Sequence, residues 1–456
     1  MTALIIVVFV LGYLAIATEH TIKIDKAASA LITGMLCWAI YVFTLEGDGH
    51  QIQHIIEHGR EGFSFSGGLV HHIFDIGSIL FFLMGAMTIV ELVDAHEGFA
   101  VITDAIKTTS AIKLLIIVCT LTFFLSAVLD NLTTTIVMVS LLRKLIKDKN
   151  TRWIFVGMVV ISANAGGAWS PIGDVTTTML WIKGQLPFVD KMVINLIIPS
   201  MVATIVPIFL LSFSLKGQKL ERPMKSEGIE HYANPTTSKE RILIFSMGIG
   251  GLVFVPIFKT FTHLPPFMGM MLSLGVLWVT TEIIHRAKNN EDKHELSVIG
   301  VLQKVDMASV LFFLGILMAV ASLQEYGILN DMAVFLSEKI GNIYAINVVI
   351  GFLSSIVDNV PLVAAAQGMY PITTPEMLST AANPEYLSFF NASGNFWLFL
   401  AYCAGVGGSS LIIGSAAGVA AMGLERIDFF WYLKKISWLA ISGYLAGAGV
   451  YILMNA

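Results

Sequence analysis

Residues 125–140 read LSAVLDNLTTTIVMVS and place Asp130-Asn131 in the middle of a long apolar run. The same acid–amide pair returns as Asp358-Asn359 in residues 353–366, which read LSSIVDNVPLVAAA. A carboxylate at the centre of a bilayer costs at least about 2.5–3.5 kcal/mol on the insertion scale, and residues of this kind usually carry function. The repeated pair therefore indicates two related functional elements in an apolar protein.

The composition predicts an all-α polytopic membrane protein. Of the 456 residues, 56% are hydrophobic and 13% are charged, and the mean hydropathy is +0.78, whereas soluble domains carry about 25% charged residues. The net charge of -5, without a basic stripe, argues against a nucleic-acid partner. The three cysteines lie far apart in apolar segments, which excludes a disulfide framework or a Cys-x-x-Cys metal site, and we expect no cofactor.

Two pairs of apolar segments are too close together to be separate spans. Segments 113–129 and 132–146, and likewise 343–357 and 360–370, are separated by only two residues. Each pair predicts a re-entrant hairpin with Asp-Asn at its tip, because such backbone survives at membrane depth only inside protein or along a wet cavity. The other apolar segments are predicted to span the bilayer: 2–17 (retained rather than cleaved as a signal peptide), 27–45, 75–93, 153–182, 191–215, 242–258, 266–284, 306–323, 395–422 and 437–454.

Positively charged residues set the predicted orientation. They crowd the linker 216–241 and the exit of the first hairpin, and basic loops favour the cytoplasm. With the linker in the cytoplasm and both termini outside, residues 1–215 and 242–456 each form five spans plus one hairpin, at 113–146 and 343–370. The two halves then have inverted topology, and each contains a broken helix, at 153–182 and 395–422.

Sequence similarity between the halves supports a repeat. DIGSILFFL at Asp75 returns as DMASVLFFL at Asp306, 231 residues later, and the hairpin tips are 228 residues apart. A Gly-Gly pair followed by a further glycine begins at Gly166 and again at Gly407, 241 residues later. Inverted repeats with broken helices are typical of secondary transporters.

The second polar constellation is SANAGGAWSPIGDVTTT, residues 162–178. Its glycines and Pro171 are expected to break the helix within the membrane and to leave backbone groups free for ions. Asp174 then begins the second half-helix. The repeat partner, AGVGGSSLIIGSAAG, adds Ser409 and Ser410 but replaces Asp174 by Ser415. A helix N-cap role would explain each aspartate separately, but not the Asp-Asn pair in both halves.

Three further polar residues are secondary candidates. Asp75 and Asp306 are predicted to open their spans, where the helix dipole favours acids, so a structural role is favoured over a functional one. His71, at the head of the third span, is either a polar anchor or a group that responds to pH.

These motifs resemble the signatures of the NhaD-type Na+/H+ antiporters, within the ion transporter superfamily. The matching patterns are S-x-x-x-D-N-x-T-T from Ser126, G-G-x-x-S-P-I-G-D-V-T-T from Gly166 and S-x-x-x-D-N-x-P-L-V from Ser354. The resemblance implies a homodimer with scaffold and transport parts, elevator-like alternating access and, in a bacterium, the inner membrane. The transport residues it implies are Ser126, Asp130, Asn131, Thr134, Asn164, Asp174, Thr176, Thr177, Ser354, Asp358 and Asn359, with Na+ or Li+ held at Asp130, Asn131, Asp174, Asp358 and Asn359.

The acidic residues favour a cation as the substrate. Like charges repel, so a dianion would meet the wrong sign at the tips, whereas Na+ or Li+ can compete with H+ for a carboxylate whose charged form burial disfavours. The sequence therefore predicts a secondary Na+/H+ antiporter and not an enzyme. Alternatives are efflux of arsenite or another metalloid, organic-anion transport within the same superfamily, an ion channel, and an intramembrane aspartyl protease built on Gly173-Asp174.

Overall fold

The computed structural model describes residues 2–47, 67–99, 106, 108–221, 236–286, 288–381 and 383–455. Within these ranges the regular structure is helical, apart from an isolated bridge between Ser110 and Lys219. The helices up to the linker are α1 Thr2–Ala17, α2 Glu19–Ile22, α3 Lys26–Gly47, α4 Gly67–Ala95, α5 Ala111–Leu129, α6 Asn131–Leu145, α7 Lys149–Gly167, α8 Val175–Ile182 and α9 Val189–Ser214.

The helices after the linker begin with α10, which follows a capping box of Thr237 and Glu240. Of the predicted linker, residues 222–235 lie outside the described residues. The helices are α10 Ser238–Thr262, α11 Pro266–Ile284, α12 Asn290–Glu295, α13 Val298–Leu302, α14 Met307–Glu325, α15 Ile328–Lys339, α16 Ile343–Leu353, α17 Asn359–Met369, α18 Pro375–Thr380, α19 Pro384–Ser388, α20 Asn395–Gly407, α21 Ala416–Glu425, α22 Phe429–Lys435 and α23 Ser437–Asn455, with a 3₁₀ turn at Gly408–Ser410.

Eight of the described helices are long and apolar enough to cross a membrane: α3, α4, α5, α9, α10, α11, α14 and α23. Seven of them coincide with predicted spans, and the eighth, α5, is the first half of the predicted first hairpin. The other three predicted spans are the 16-residue α1 and the two broken helices, which the structure divides into α7 with α8 and α20 with α21. The prediction of a polytopic, all-helical membrane protein is therefore confirmed for the described residues.

The prediction that Asp75 opens its span is wrong. Helix α4 begins at Gly67, because apolar residues such as Val70 and Ile73 extend the membrane-facing surface upstream. Asp75 therefore lies two turns inside the helix, where its carboxylate is 3.6 Å from the Nε2 of the exposed His71 on the preceding turn. Asp306, in contrast, is the N-cap of α14 as predicted, and it accepts a hydrogen bond from the backbone N–H of Ser309.

The chain divides into two compact units. The first comprises residues 1–81, 306–342 and 360–372. In this unit α3 packs against α14, and the two helices approach closely where both carry glycine: a Cβ on Gly34 would be 2.3 Å from the carbonyl oxygen of Gly315. The indole N–H of Trp38 donates to the carbonyl oxygen of Met318 at 2.8 Å, which fixes the register of the pair.

The second unit comprises residues 82–305, 343–359 and 373–456, and it contains both helix breaks. Here α5 packs on α7, α16 packs on α20, and α9 packs on α23. Glycines at the ends of α7 and α20 permit the closest contacts. A Cβ on Gly166 would be 2.2 Å from the carbonyl oxygen of Phe123, and a Cβ on Gly407 would be 2.2 Å from that of Gly351. Backbone thus lies directly on backbone beside each break.

Replacing Gly166 by alanine should destabilise the protein by about 2 kcal/mol or more, because rigid backbone, not a flexible side chain, occupies the space of the new methyl group. Thermal unfolding of the purified protein in detergent measures the effect. Gly423→Ala is the matched control, since a Cβ on this exposed helical glycine meets nothing within 4 Å. If both variants unfold like the wild type, this contact between α5 and α7 is not tight.

Candidate functional site

In both broken helices the second half begins after an N-cap residue whose side chain accepts a backbone hydrogen bond. Helix α7 ends at Gly167 and α8 begins at Val175, with Asp174 as its N-cap. The Oδ1 of Asp174 accepts from the backbone N–H and from the hydroxyl of Thr176, each at 2.8 Å. In the second break Ser415 is the N-cap of α21 and accepts from the N–H of Gly418 at 3.2 Å. The two N-caps share an extended backbone conformation and a side-chain cap, but only the first N-cap is a carboxylate.

The first tip, where α5 meets α6, turns within one residue. Asp130 has φ 76° and ψ 163°, a backbone conformation that is nearly confined to glycine and costs about 1–3 kcal/mol. Its carboxylate accepts from the N–H of Thr133 at 2.8 Å and from the Thr133 hydroxyl at 2.9 Å, and thus caps α6. Asp130 is partly exposed. Strain at a capped, partly exposed acid is typical of functional positions.

Asp174 is the centre of the polar cluster, and its side chain is 1% exposed. The side-chain N–H of Asn131, at the first tip, donates to its Oδ2 at 2.6 Å. The side-chain N–H of Asn359, at the second tip, lies 3.4 and 3.3 Å from its two oxygens. With the two donors of Thr176, this carboxylate receives hydrogen bonds from four groups, an arrangement that suits the ionised form. The buried acid of α8 is therefore tied to the asparagines of both tips.

Asn164, in α7, joins the two breaks. Its Oδ1 accepts from Asn131 at 3.0 Å, and its amide N–H groups donate to the hydroxyls of Ser409 at 2.9 Å and Ser415 at 2.8 Å. All of these residues are buried. A continuous chain of hydrogen bonds thus runs from the second break through Asn164 and Asn131 to Asp174, and it fixes the amide orientations.

The two tip aspartates border this cluster. Asp130 and Asp358 are both partly exposed, and each interacts electrostatically with Asp174. Asp174 therefore lies within range of the charges of both tip aspartates.

Some predicted site residues bond to backbone instead of joining the cluster. The hydroxyls of Ser126 and Ser354 donate to the carbonyl oxygens of Ala163 and Ala404, at 2.6 and 2.8 Å, and that of Thr177 donates to the carbonyl oxygen of Asp174. The hydroxyls of Thr134 and Ser410 are buried and make no hydrogen bond within the described residues. The secondary candidates His71, Asp75 and Asp306 belong to the first unit.

One residue of the arrangement was not among the predicted site residues. Ser415 bonds Asn164, and its signal in the sequence is that it occupies the repeat position of Asp174. Thr133, which belongs to the S-x-x-x-D-N-x-T-T motif of the first tip, donates to Asp130 through its backbone N–H and its hydroxyl, at the three-residue spacing of an N-cap interaction.

The chemistry of the cluster suits a hard cation. Carboxylate, amide and hydroxyl oxygens are the ligands that such cations prefer, and they are concentrated here at two tips and two helix restarts. Among the described residues no group of three or more His, Cys, Asp or Glu side chains is arranged to hold a metal ion.

A buried acid–amide cluster at two helix breaks, in a chain with eight described helices apolar enough to cross a membrane, is typical of a membrane transporter. The sequence profile of the citrate transporter (CitMHS) family matches residues 5–394, and the chain belongs to this family. The resemblance to the NhaD-type antiporters is also confirmed, and the chain is therefore a transporter and not an enzyme, which removes the protease alternative.

Relatives of this chain come from both plants and bacteria. It is 43% identical to Sodium/proton antiporter 1 of Arabidopsis thaliana over 447 residues. This alignment covers 98% of this chain and 71% of the plant protein. Sodium/proton antiporter 2 of Arabidopsis thaliana is 40% identical over 452 residues, 98% of each chain. Na(+)/H(+) antiporter NhaD of Vibrio parahaemolyticus is 31% identical over 436 residues, 90% of this chain and 95% of that one.

Proposed function

We propose that this protein exchanges Na+, and also Li+, for H+ across the membrane. The observation that carries the proposal is the buried Asp174, which is bound by the asparagines of both tips and lies within range of two further aspartates. The names of the relatives, sodium/proton antiporters of a plant and of a bacterium, support the same substrates.

The exchange follows from competition for one site. Burial disfavours bare carboxylates, so a cation or protons must neutralise them before the site moves through the membrane. We assign this alternation to Asp130, Asp174 and Asp358, with oxygen ligands from Asn131 and Asn359. The other residues of the site are Ser126, Thr134, Asn164, Thr176, Thr177 and Ser354, with Ser409 and Ser410 as secondary members.

The family takes its name from citrate transport, so an organic anion is the second candidate substrate. Asp174, with two further aspartates within electrostatic range of it, would repel a polycarboxylate. None of the hydrogen bonds described for the cluster comes from a lysine or arginine, which an anion site would use. The charge of the cluster therefore favours the cation.

The proposed architecture is two inverted repeats, residues 1–215 and 242–456, each with a re-entrant hairpin, at 113–146 and 343–370. Equivalent contacts in both halves support the repeat. The serine before each tip donates to a carbonyl oxygen of the neighbouring broken helix, and the first glycine of each Gly-Gly pair lies against a carbonyl oxygen of α5 or α16. The same proposal includes a homodimer and elevator-like alternating access. It also places the linker in the cytoplasm, both termini outside and the protein in a bacterial inner membrane.

Dissipation of a pH gradient in inside-out vesicles tests the function. Addition of Na+ or Li+ should collapse a preformed gradient in vesicles that contain the protein, while K+, citrate and arsenite should leave it intact. Vesicles without the protein are the control. A response to citrate or arsenite but not to Na+ would replace the antiporter proposal with the corresponding alternative, and a response without the capacity for uphill exchange would indicate a channel.

In the same assay, Asp130→Asn and Asp358→Asn should each lower Na+-dependent proton movement by about 100-fold or more, because an amide cannot alternate between charged and protonated states. Asp428→Asn is the matched control, since Asp428 is an exposed N-cap, of α22, and asparagine caps equally well. Normal exchange by the Asp130 variant would remove this residue from the assigned site.

A further inference from the structure

Two buried histidines face each other outside the polar cluster. His96 immediately follows α4, and His285 is the C-cap of α11, so both lie just beyond the membrane-spanning segments. Their Nε2 atoms are 2.7 Å apart and their rings are stacked with centroids 5.0 Å apart. Their exposed fractions are 0% and 1%. The mechanism above uses neither residue.

The hydrogen bonds of this pair can be assigned from donors and acceptors. The Nδ1 of His96 lies 2.6 Å from the carbonyl oxygen of Leu92, and a carbonyl can only accept, so this nitrogen carries hydrogen. The Nε2 of a neutral His96 is then an acceptor, and the Nε2–H of His285 donates to it. The Nδ1 of His285 is left as a buried lone pair without a hydrogen-bond partner among the described residues. One shared hydrogen therefore joins two neutral rings.

Charged groups face the pair from the elements around it. Lys288 and Glu240 interact with both rings, and they form an ion pair with each other at 3.0 Å. Glu282, from α11, also interacts with His285. Burial lowers the pKa of His96 below its usual value, and burial, with Lys288 as the next cause, lowers the pKa of His285 to about 4.

Further polar contacts connect His96 to the start of α10. The Thr236 hydroxyl donates to the carbonyl oxygen of His96 at 3.4 Å and accepts from Arg241 at 3.0 Å. Arg241 in turn pairs with Glu97 at 2.7 Å. The histidine pair is thus part of a junction among the end of α4, the start of α10 and the end of α11.

Helix α10 also contacts the second half of the first broken helix. The ammonium group of Lys259 donates to the carbonyl oxygen of Trp181 at 2.9 Å, near the end of α8. Helix α8 begins at the N-cap Asp174. Along its length α10 packs against α4, where a Cβ on Gly248 would be 2.4 Å from Val93. A rearrangement at the histidine pair therefore has a packed route to the helix that carries the buried acid.

We propose that the His96–His285 pair is a proton-operated contact that holds α4 and α11 together while both rings are neutral and releases them in acid, slowing exchange. A first added proton places a charge beside Lys288 on a nitrogen without an acceptor. A second would set two N–H groups against each other at the distance of one hydrogen bond. Both steps favour an opened junction in which water reaches the rings.

The direction of the pH effect follows from the lowered pKa values. Unfolded histidine titrates near pH 6.5, so this contact stabilises the protein fully above that pH, and its contribution is lost as the pH falls from about 6.5 towards 4. Separation of α4 and α11 in acid would therefore slow exchange when the compartment that receives the protons is already acidic.

The test variant is His285→Gln, because the glutamine amide can still donate to His96 but does not titrate in this range. His294→Gln, at an exposed helical position, is the matched control. Thermal unfolding is followed from pH 7.5 to pH 4.5. Between these values the wild type and the control should lose roughly 2–4 °C more than His285→Gln. If glutamine at 285 prevents folding, His96→Asn, which retains a donor to Leu92, is measured instead.

Transport provides the second measurement. With the pH on the histidine side of the membrane varied, Na+-dependent proton movement by the wild type should fall below about pH 6.5, whereas that of His285→Gln should persist to lower pH. If the unfolding temperatures of the wild type and His285→Gln fall by the same amount between pH 7.5 and pH 4.5, the pair is not a proton-operated contact, whatever the transport result. A difference in unfolding with identical transport profiles would overturn its control of exchange. Absence of transport by every protein at every pH would instead contradict the proposed function.

Discussion

Asp174→Asn should abolish Na+-dependent proton movement, with a loss of about 100-fold or more, while the protein still assembles in the membrane. The side chains of Asn131, Asn359 and Thr176 donate to this carboxylate. An asparagine would offer only one acceptor and would turn an NH2 group towards donors. Hydrogen bonds to a charged group contribute about 1.5–3 kcal/mol each, so losing even two of them accounts for the expected factor.

Asp148→Asn is the control for this variant, because Asp148 is the N-cap of the same broken helix and asparagine retains that role. It should transport normally in the vesicle assay. The Asp174 variant should also elute as a single species in size-exclusion chromatography. Substantial exchange by Asp174→Asn would mean that the buried acid is a structural cap, and the transport chemistry would then belong to the tips alone.

Glu425→Ala should lower the free energy of unfolding by about 3 kcal/mol, because it leaves a largely buried arginine without its counter-charge. Glu425 ends α21 and is 4% exposed. Its carboxylate binds Arg143, on α6, at 2.6 Å and Arg152, on α7, at 2.9 Å. The Trp153 indole also donates to its backbone carbonyl oxygen at 3.1 Å. One acid thus joins the ends of α6 and α21 and the start of α7.

Chemical or thermal unfolding in detergent measures this loss, and Glu282→Ala is the matched control. The pair of Glu282 with Lys293 is 3.6 Å long and about 40% exposed on both sides, so its removal should cost less than about 1 kcal/mol. Equal destabilisation by the two variants would show that burial does not strengthen the ion pairs of Glu425 with Arg143 and Arg152. Arg152→Ala should reproduce most of the Glu425 effect, since Arg143 is half exposed.

The sequence predicted the parts of the molecule that the bilayer dictates. Charge is expensive in the membrane, so Asp130, Asp174 and Asp358 were conspicuous, and glycine and proline marked the helix break after α7. The acid–amide pairs also indicated that the two tips are related. These inferences depend on local composition and spacing, which are visible without coordinates.

Contacts between distant parts of the chain were not predictable in this way. The histidine pair joins residues 189 positions apart, and the bond of Asn164 to Ser415 spans 251 positions. Neither has a local periodicity. The start of α4 was misplaced for a different reason: an acid near an apolar boundary looks like a helix start, whereas Asp75 lies inside a longer helix and faces His71 on the preceding turn.

The single-residue turn at Asp130 couples the position of its backbone to two helices. Because Asp130 is the single residue between α5 and α6, its backbone cannot move independently of the two helices. If an ion binds this carboxylate as proposed, a displacement of the Asp130 backbone would move α5 and α6 together, and Arg143 holds α6 to the end of α21. Occupancy by a single monovalent ion would thereby become a mechanical event on the scale of whole helices.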